Sequence, residues 1–274
     1  MLEILQYDFF INALVAVVLI SLCAGTIGTY IITRRLVAVS GGITHACFGG
    51  LGLGYFLGIS PVAMAGAFAV ASSIGVEWLA QRLRLREDSA RAVIWALGMA
   101  LGILFVFLTP GYVPELNDFL FGNILTVSAA DLRAIGAYTI VLAAFWIWQR
   151  RNIIAIAFDR DFATVAGLPV KAVSYTMTVL VAVCIVLTIR LAGIMMLMSM
   201  LSLPIITAEI FAGNYGTILI RSIILSLLSS IGGLVLSAII DVPCSALIVL
   251  IMVAVFIVCK LIAAAIPSAS NDIK

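Results

Sequence analysis

His45 is the only histidine in a chain of 274 residues. It stands inside the stretch from Arg34 to Gly50, RRLVAVSGGITHACFGG, which otherwise has the composition of a membrane helix. An imidazole can ligate a cation, carry a proton, or simply hydrogen-bond a neighbouring helix. Counting about 1.5 Å per residue from Arg34 places the ring about 15 Å beyond those charges, near the middle of a hydrocarbon layer about 30 Å thick. An ionisable group at that depth marks a functional site by default, because its desolvation has to be offset by a partner or a polar path. His45 is thus the first candidate for a transient metal ligand or gate. Gly41, Gly42, Gly49 and Gly50 flank it. In a membrane helix such glycines permit close approach of backbones or local unwinding beside a cavity, and the expectation is backbone freedom along a path.

The second stretch with chemical content is LAGIMMLMSMLSLPIITAE, Leu191 to Glu209. Pro204 frees a carbonyl there, and Thr207 is expected to repair the bonding locally. Glu209 is a candidate cation ligand or gate, with interfacial pairing to a basic side chain as the alternative. Met195, Met196, Met198 and Met200 have the softness for copper(I), but such a run reads first as packing. The five cysteines, Cys23, Cys47, Cys184, Cys244 and Cys259, occur singly in apolar stretches without zinc-site spacing and read as small fillers. There is no phosphate loop, no HExxH and no GxSxG elbow, so the chain is expected to hydrolyse nothing itself.

The elements that must position these residues follow from composition. Hydrophobic residues make up 64% of the chain and charged residues 10%, with a mean hydropathy of +1.28. That leaves too little polar surface to coat a soluble globule. The expected fold is all-α, a single polytopic membrane domain over residues 1–274 with eight or nine spans. The candidate spans are 9–33, 37–57, 61–81, 91–109, 131–149, 172–189, 192–211, 217–240 and 243–264, the pair around Leu191 being the least distinct. The first is expected to be a retained helix rather than a signal peptide. With Met1 outside, every Lys and Arg except Arg133 and Arg190 falls on the cytoplasmic side, as basic loops require. An odd number of spans then puts the C-terminus in the cytoplasm. The net charge of +2 gives no footing for nucleic acid.

Two connections stand out. Residues 109–131 are too rich in Pro, Gly and Asn for a lipid-facing helix; Glu115, Asp118 and Asp131 there either dock an external partner or are solvated. Residues 149–171, QRRNIIAIAFDRDFATVAGLPVK, form the longest cytoplasmic connection. Asp159 and Asp161 precede Phe162, Ala163 and Ala166, and Gly167 with Pro169 supplies a stop, so a short amphipathic helix is expected. Such a helix can lie in the groove of a soluble partner.

RRLVAVSGGITHACFGGLGLGY, FLFGNILTVSAADL, FDRDFATVAGLPV and LAGIMMLMSMLSLPIITAE, in this order and spacing, resemble the membrane permease subunits of zinc, manganese and iron ATP-binding-cassette (ABC) transporters. The resemblance spans Thr33 to about Asp241. It implies a type II importer-like permease in the cytoplasmic (inner) membrane, paired as a homodimer. Cytoplasmic ATPases drive it, an extracytoplasmic binding protein supplies the metal, and no cofactor is held tightly. It also implies that Phe158 to Val170 is the segment that couples to the ATPase, and that His45 is the motif's histidine. The motif usually carries an aspartate four residues earlier, a spacing that lets both side chains meet one cation. Here that position is Gly41, and Gly49 replaces a later proline. Glu209, the second copy's His45 or backbone carbonyls are left as substitutes. The expected cargo is a divalent transition metal ion, zinc first and then manganese or iron, and the alternative is a metal chelate or other larger solute.

Overall fold

The computed structural model describes residues 7–34, 36–82, 87–110, 122 and 124–265. Nine α-helices account for almost all of them: α1 (Asp8–Thr33), α2 (Val37–Leu57), α3 (Pro61–Arg82), α4 (Glu87–Leu108), α5 (Ala129–Phe158), α6 (Arg160–Val165), α7 (Val170–Glu209), α8 (Tyr215–Ile240) and α9 (Cys244–Ala265). A 3₁₀ turn, Ile124–Thr126, precedes α5, and there is no strand among the described residues. Apolar runs of this length close their own backbone hydrogen bonds as helices, the one open-ended structure that hydrocarbon tolerates. Five helices, α1, α5, α7, α8 and α9, are long and apolar enough to cross a membrane.

Polar residues end the helices where the apolar runs stop. Ser128 and Asp131 form a reciprocal capping box at the start of α5, and Asn214 accepts from the Thr217 amide to cap α8. Gly58, at φ +66°, closes α2 in the left-handed conformation, and Pro61 opens α3.

α2, α3 and α4 make one packet, joined to α1, α5, α8 and α9 chiefly through α7. The buried core runs along α1 and α7 and includes Ile20, Ile27, Met177, Ile185 and Leu197. The contacts define two ends of the bundle. At one, Asp131 pairs with Arg190 at 3.2 Å, Gly122 packs on Ala192 and Gly193, and Val62 meets Arg190 across a narrow cleft. At the other, Gly25 packs on Ile223, Gly28 on Leu201 and Ile205, and Thr29 bonds Ser222 at 3.3 Å. Arg190 and Arg133, the two basic residues set apart by the charge pattern, belong with the Asp131 end.

The expected spans 172–189 and 192–211 are the two arms of α7, which meet at Gly193 (φ 78°, ψ 168°), a non-helical conformation open almost only to glycine. The second arm turns back, since Leu201 and Ile205 reach the end of the bundle opposite to Arg190. One boundary does differ from the sequence-based expectation: 149–158 is not loop but the last turns of α5. The Arg150 guanidinium lies 5.6 Å from the Trp146 ring centroid, so the helix carries its charges outward instead of stopping at them. Of the connection 109–131, residues 111–121 and 123, with Glu115 and Asp118, lie outside the described residues.

Candidate functional site

α2 and α4 cross at van der Waals contact of their backbones, and this crossing positions His45. A Cβ added at Gly98 would lie 2.5 Å from the Ala46 Cα, and one at Gly102 2.5 Å from the Phe48 carbonyl oxygen. Gly52 in turn faces the Gly102 backbone. Gly98 and Gly102 are four residues apart, the spacing by which small residues let two membrane helices approach. On the neighbouring face of α2, Gly50 abuts Met64 and Ala65, and Gly49 abuts Phe68.

The helix is therefore unbroken from Val37 to Leu57. Of the two roles open to its glycines, close packing is the one displayed at Gly49 and Gly50. Gly42 is buried, while Gly41 faces α7, where its Cβ would stand 3.4 Å from the Met198 Cε. The place where the resembled motif carries a carboxylate adjoins a thioether.

Three residues before Gly98 on the same helix, Trp95 stacks on His45, with ring centroids 4.7 Å apart and planes inclined by 10°. The imidazole is partly buried, one of its faces is covered by the indole, and no hydrogen bond or ion pair holds it among the described residues. A neutral imidazole has one lone-pair nitrogen to offer a cation, and none of the described residues claims it. Sequence reasoning missed Trp95. It lies fifty positions along the chain, and only the helix crossing reveals the pair.

Glu209 stands elsewhere, exposed at the last position of α7. No hydrogen bond or ion pair joins it to His45 or to Arg221 among the described residues; Arg221 donates instead to the Phe211 carbonyl. Thr207 does not bond the carbonyl that Pro204 leaves without a donor, which by the i−4 rule is that of Met200. Its hydroxyl donates to Leu203 at 2.6 Å. Met196 and Met200 are fully buried, whereas Met195 is 49% exposed, so the methionines do not converge on one point. Four of the five thiols are buried, two of them, Cys23 and Cys184, near Tyr138, and no cluster of three or more His, Cys, Asp or Glu occurs among the described residues.

The connection after α5 is built as a presented surface. Asp159 accepts from the Phe162 amide at 2.8 Å and caps α6; the helix ends at Gly167 (φ +74°), whose amide donates to the Thr164 carbonyl, while that of Leu168 donates to Ala163. Phe158, Phe162 and Val165 are 65%, 65% and 89% exposed, and Asp161, Ala166 and Gly167 are exposed as well. Ala163 is the exception in the expected contact set. It is completely buried and anchors α6 to its own bundle, so it cannot touch a partner.

Comparison with known proteins agrees with this architecture. A Chlamydia pneumoniae protein named "Probable metal transport system membrane protein" is 34% identical over 240 residues, 85% of this chain and 81% of its own. A manganese transport system membrane protein, MntC, of Halalkalibacterium halodurans is 29% identical over 257 residues, covering 93% of this chain and 87% of that one. Among solved structures, one titled PsaBC from Streptococcus pneumoniae in complex with Fab superposes with a TM-score of 0.82 at 24% identity, over 93% of this chain and 91% of that chain. The profile of the ABC 3 transport family matches residues 6–263, and the chain belongs to that family.

Proposed function

We propose that this membrane subunit of an ABC transporter forms, as a homodimer in the cytoplasmic membrane, the route for a divalent transition metal ion, with zinc, manganese and iron as the cargo candidates. The carrying observation is His45, a solitary imidazole in the middle of an unbroken apolar helix, stacked on Trp95 and with no hydrogen-bond partner among the described residues. A single weak donor suits transport, since an ion held by a full ligand set does not leave. The relatives named for metal and manganese transport support the cargo class. Energy comes from a cytoplasmic ATPase docked on Phe158, Phe162 and Val165, and an extracytoplasmic protein delivers the ion. In this reading the Asp131 end faces outward, Asp159 and Gly167 hold the docking helix in shape, and Glu209 meets the ion at the cytoplasmic exit.

The test is uptake of zinc, manganese and iron isotopes, as free ions and as chelates, by vesicles containing the permease with its ATPase. His45→Ala should reduce free-ion uptake at least tenfold while the complex still assembles. Undiminished uptake by that variant, or transport of the chelate alone, would overturn the reading.

A further inference from the structure

At the end of the bundle opposite Asp131, the close of α7, the first half of α8 and the late part of α9 enclose a groove of about 380 Å³. Its walls are Thr207, Ala208, Phe211, Ile224, Leu225 and Cys259, and Arg221 stands among them. The walls offer little for polar recognition, because the Thr207 hydroxyl is already committed to Leu203. Arg221 is exposed and spends one donor on the Phe211 carbonyl; a guanidinium has five, so most remain available. Around the groove Phe211 is 46% exposed, Ile220 60%, Ile224 48% and Leu261 65%, and the exposed charges near it in the chain are Glu209, two positions before Phe211, and Lys260, next to Cys259. Such a surface suits hydrocarbon, and Arg221 is the seventh residue of α8, about two turns from its start.

We propose that this groove is a binding site for one anionic phospholipid, an acyl chain lying along Ile224 and Leu225 and the phosphate meeting Arg221. Charge complementarity selects the occupant: a cation at the mouth of an apolar slot between membrane helices fits an anion with a hydrocarbon tail. A second copy of this chain fits less well, because a two-fold contact centred on the groove brings Arg221 toward Arg221. The site lies apart from His45, against the α7–α8 turn, so occupancy would hold the end of the arm that carries Pro204 and Glu209.

Cys259 reports on the groove directly, being the one partly exposed thiol of the five. The full-length permease is placed in nanodiscs of phosphatidylcholine alone or mixed with phosphatidylglycerol, and the rate of maleimide labelling at Cys259 is measured, with native mass spectrometry of the retained lipid alongside. Labelling is expected to be about fivefold slower with phosphatidylglycerol, the discrimination one interfacial Arg supplies. Arg221→Gln should abolish the difference and Arg221→Lys should keep it. Ile224→Trp, which fills the slot and leaves the charge, should release the retained phosphatidylglycerol. Equal rates in the two lipids, an unchanged difference in Arg221→Gln, protection by inorganic phosphate in phosphatidylcholine, or a Cys259–Cys259 cross-link between two copies would each overturn the proposal.

Discussion

Gly98→Ala tests the helix crossing on which the rest of the site depends. The new methyl would lie 2.5 Å from the Ala46 Cα, 2.8 Å from its carbonyl oxygen and 3.0 Å from its Cβ. None of these atoms can rotate away. Ordinary contact begins near 3.4 Å, so α2 and α4 must separate by roughly 1 Å, and overpacking of this kind costs about 1–3 kcal/mol. At about 2–4 °C per kcal/mol for a chain of this size, the melting temperature of the purified permease should fall by about 4–8 °C for a cost near 2 kcal/mol. Gly232→Ala is the control, since a Cβ there meets nothing within 4 Å; it should be neutral or raise stability by up to about 1 kcal/mol through helix propensity. Because Trp95 is one turn from Gly98, the same separation should slide the indole off the imidazole and lower metal uptake. Scanning fluorimetry and vesicle uptake read the two effects. A Gly98→Ala variant that melts with the wild type would refute the argument that backbone contact at this crossing sets the geometry of His45.

Trp95→Ala removes a ring stack worth about 0.5–1.5 kcal/mol and should change the KM for metal by about two- to tenfold while the protein still folds, as measured in the same vesicles. Val165→Asp, on a side chain 89% exposed, should change the melting temperature little, a surface substitution costing about 0.5 kcal/mol at most; co-purification of the ATPase should be lost, and its full retention would exclude α6 as the docking element. Gly193→Ala forces a Cβ into φ 78°, ψ 168°, at a cost of about 1–3 kcal/mol, and should lower the melting temperature by a corresponding amount.

The sequence by itself determined what depends on local composition. Apolar runs and their punctuation gave the helices, because hydrocarbon leaves a backbone few alternatives. Capping chemistry gave the short helix between Asp159 and Gly167, and the placement of Arg and Lys set Arg133 and Arg190 apart, at the end where Arg190 meets Asp131. His45 stood out as a candidate for the same reason: one titratable ring in a greasy stretch is a local anomaly.

Tertiary structure decided everything that needs two distant segments. The indole on His45, the thioether beside Gly41 and the buried face of Ala163 arise from helix crossings. A glycine in a sequence does not say whether it unwinds a helix or admits a neighbour; Gly49 and Gly50 do the second because α4 and α3 occupy the space that a side chain would need. The geometry of the break between the two spans at Gly193 was hidden as well, since a glycine between apolar runs reads the same whether the chain loops out or turns within one residue. Periodicity reports which residues are apolar, and only packing reports what they touch.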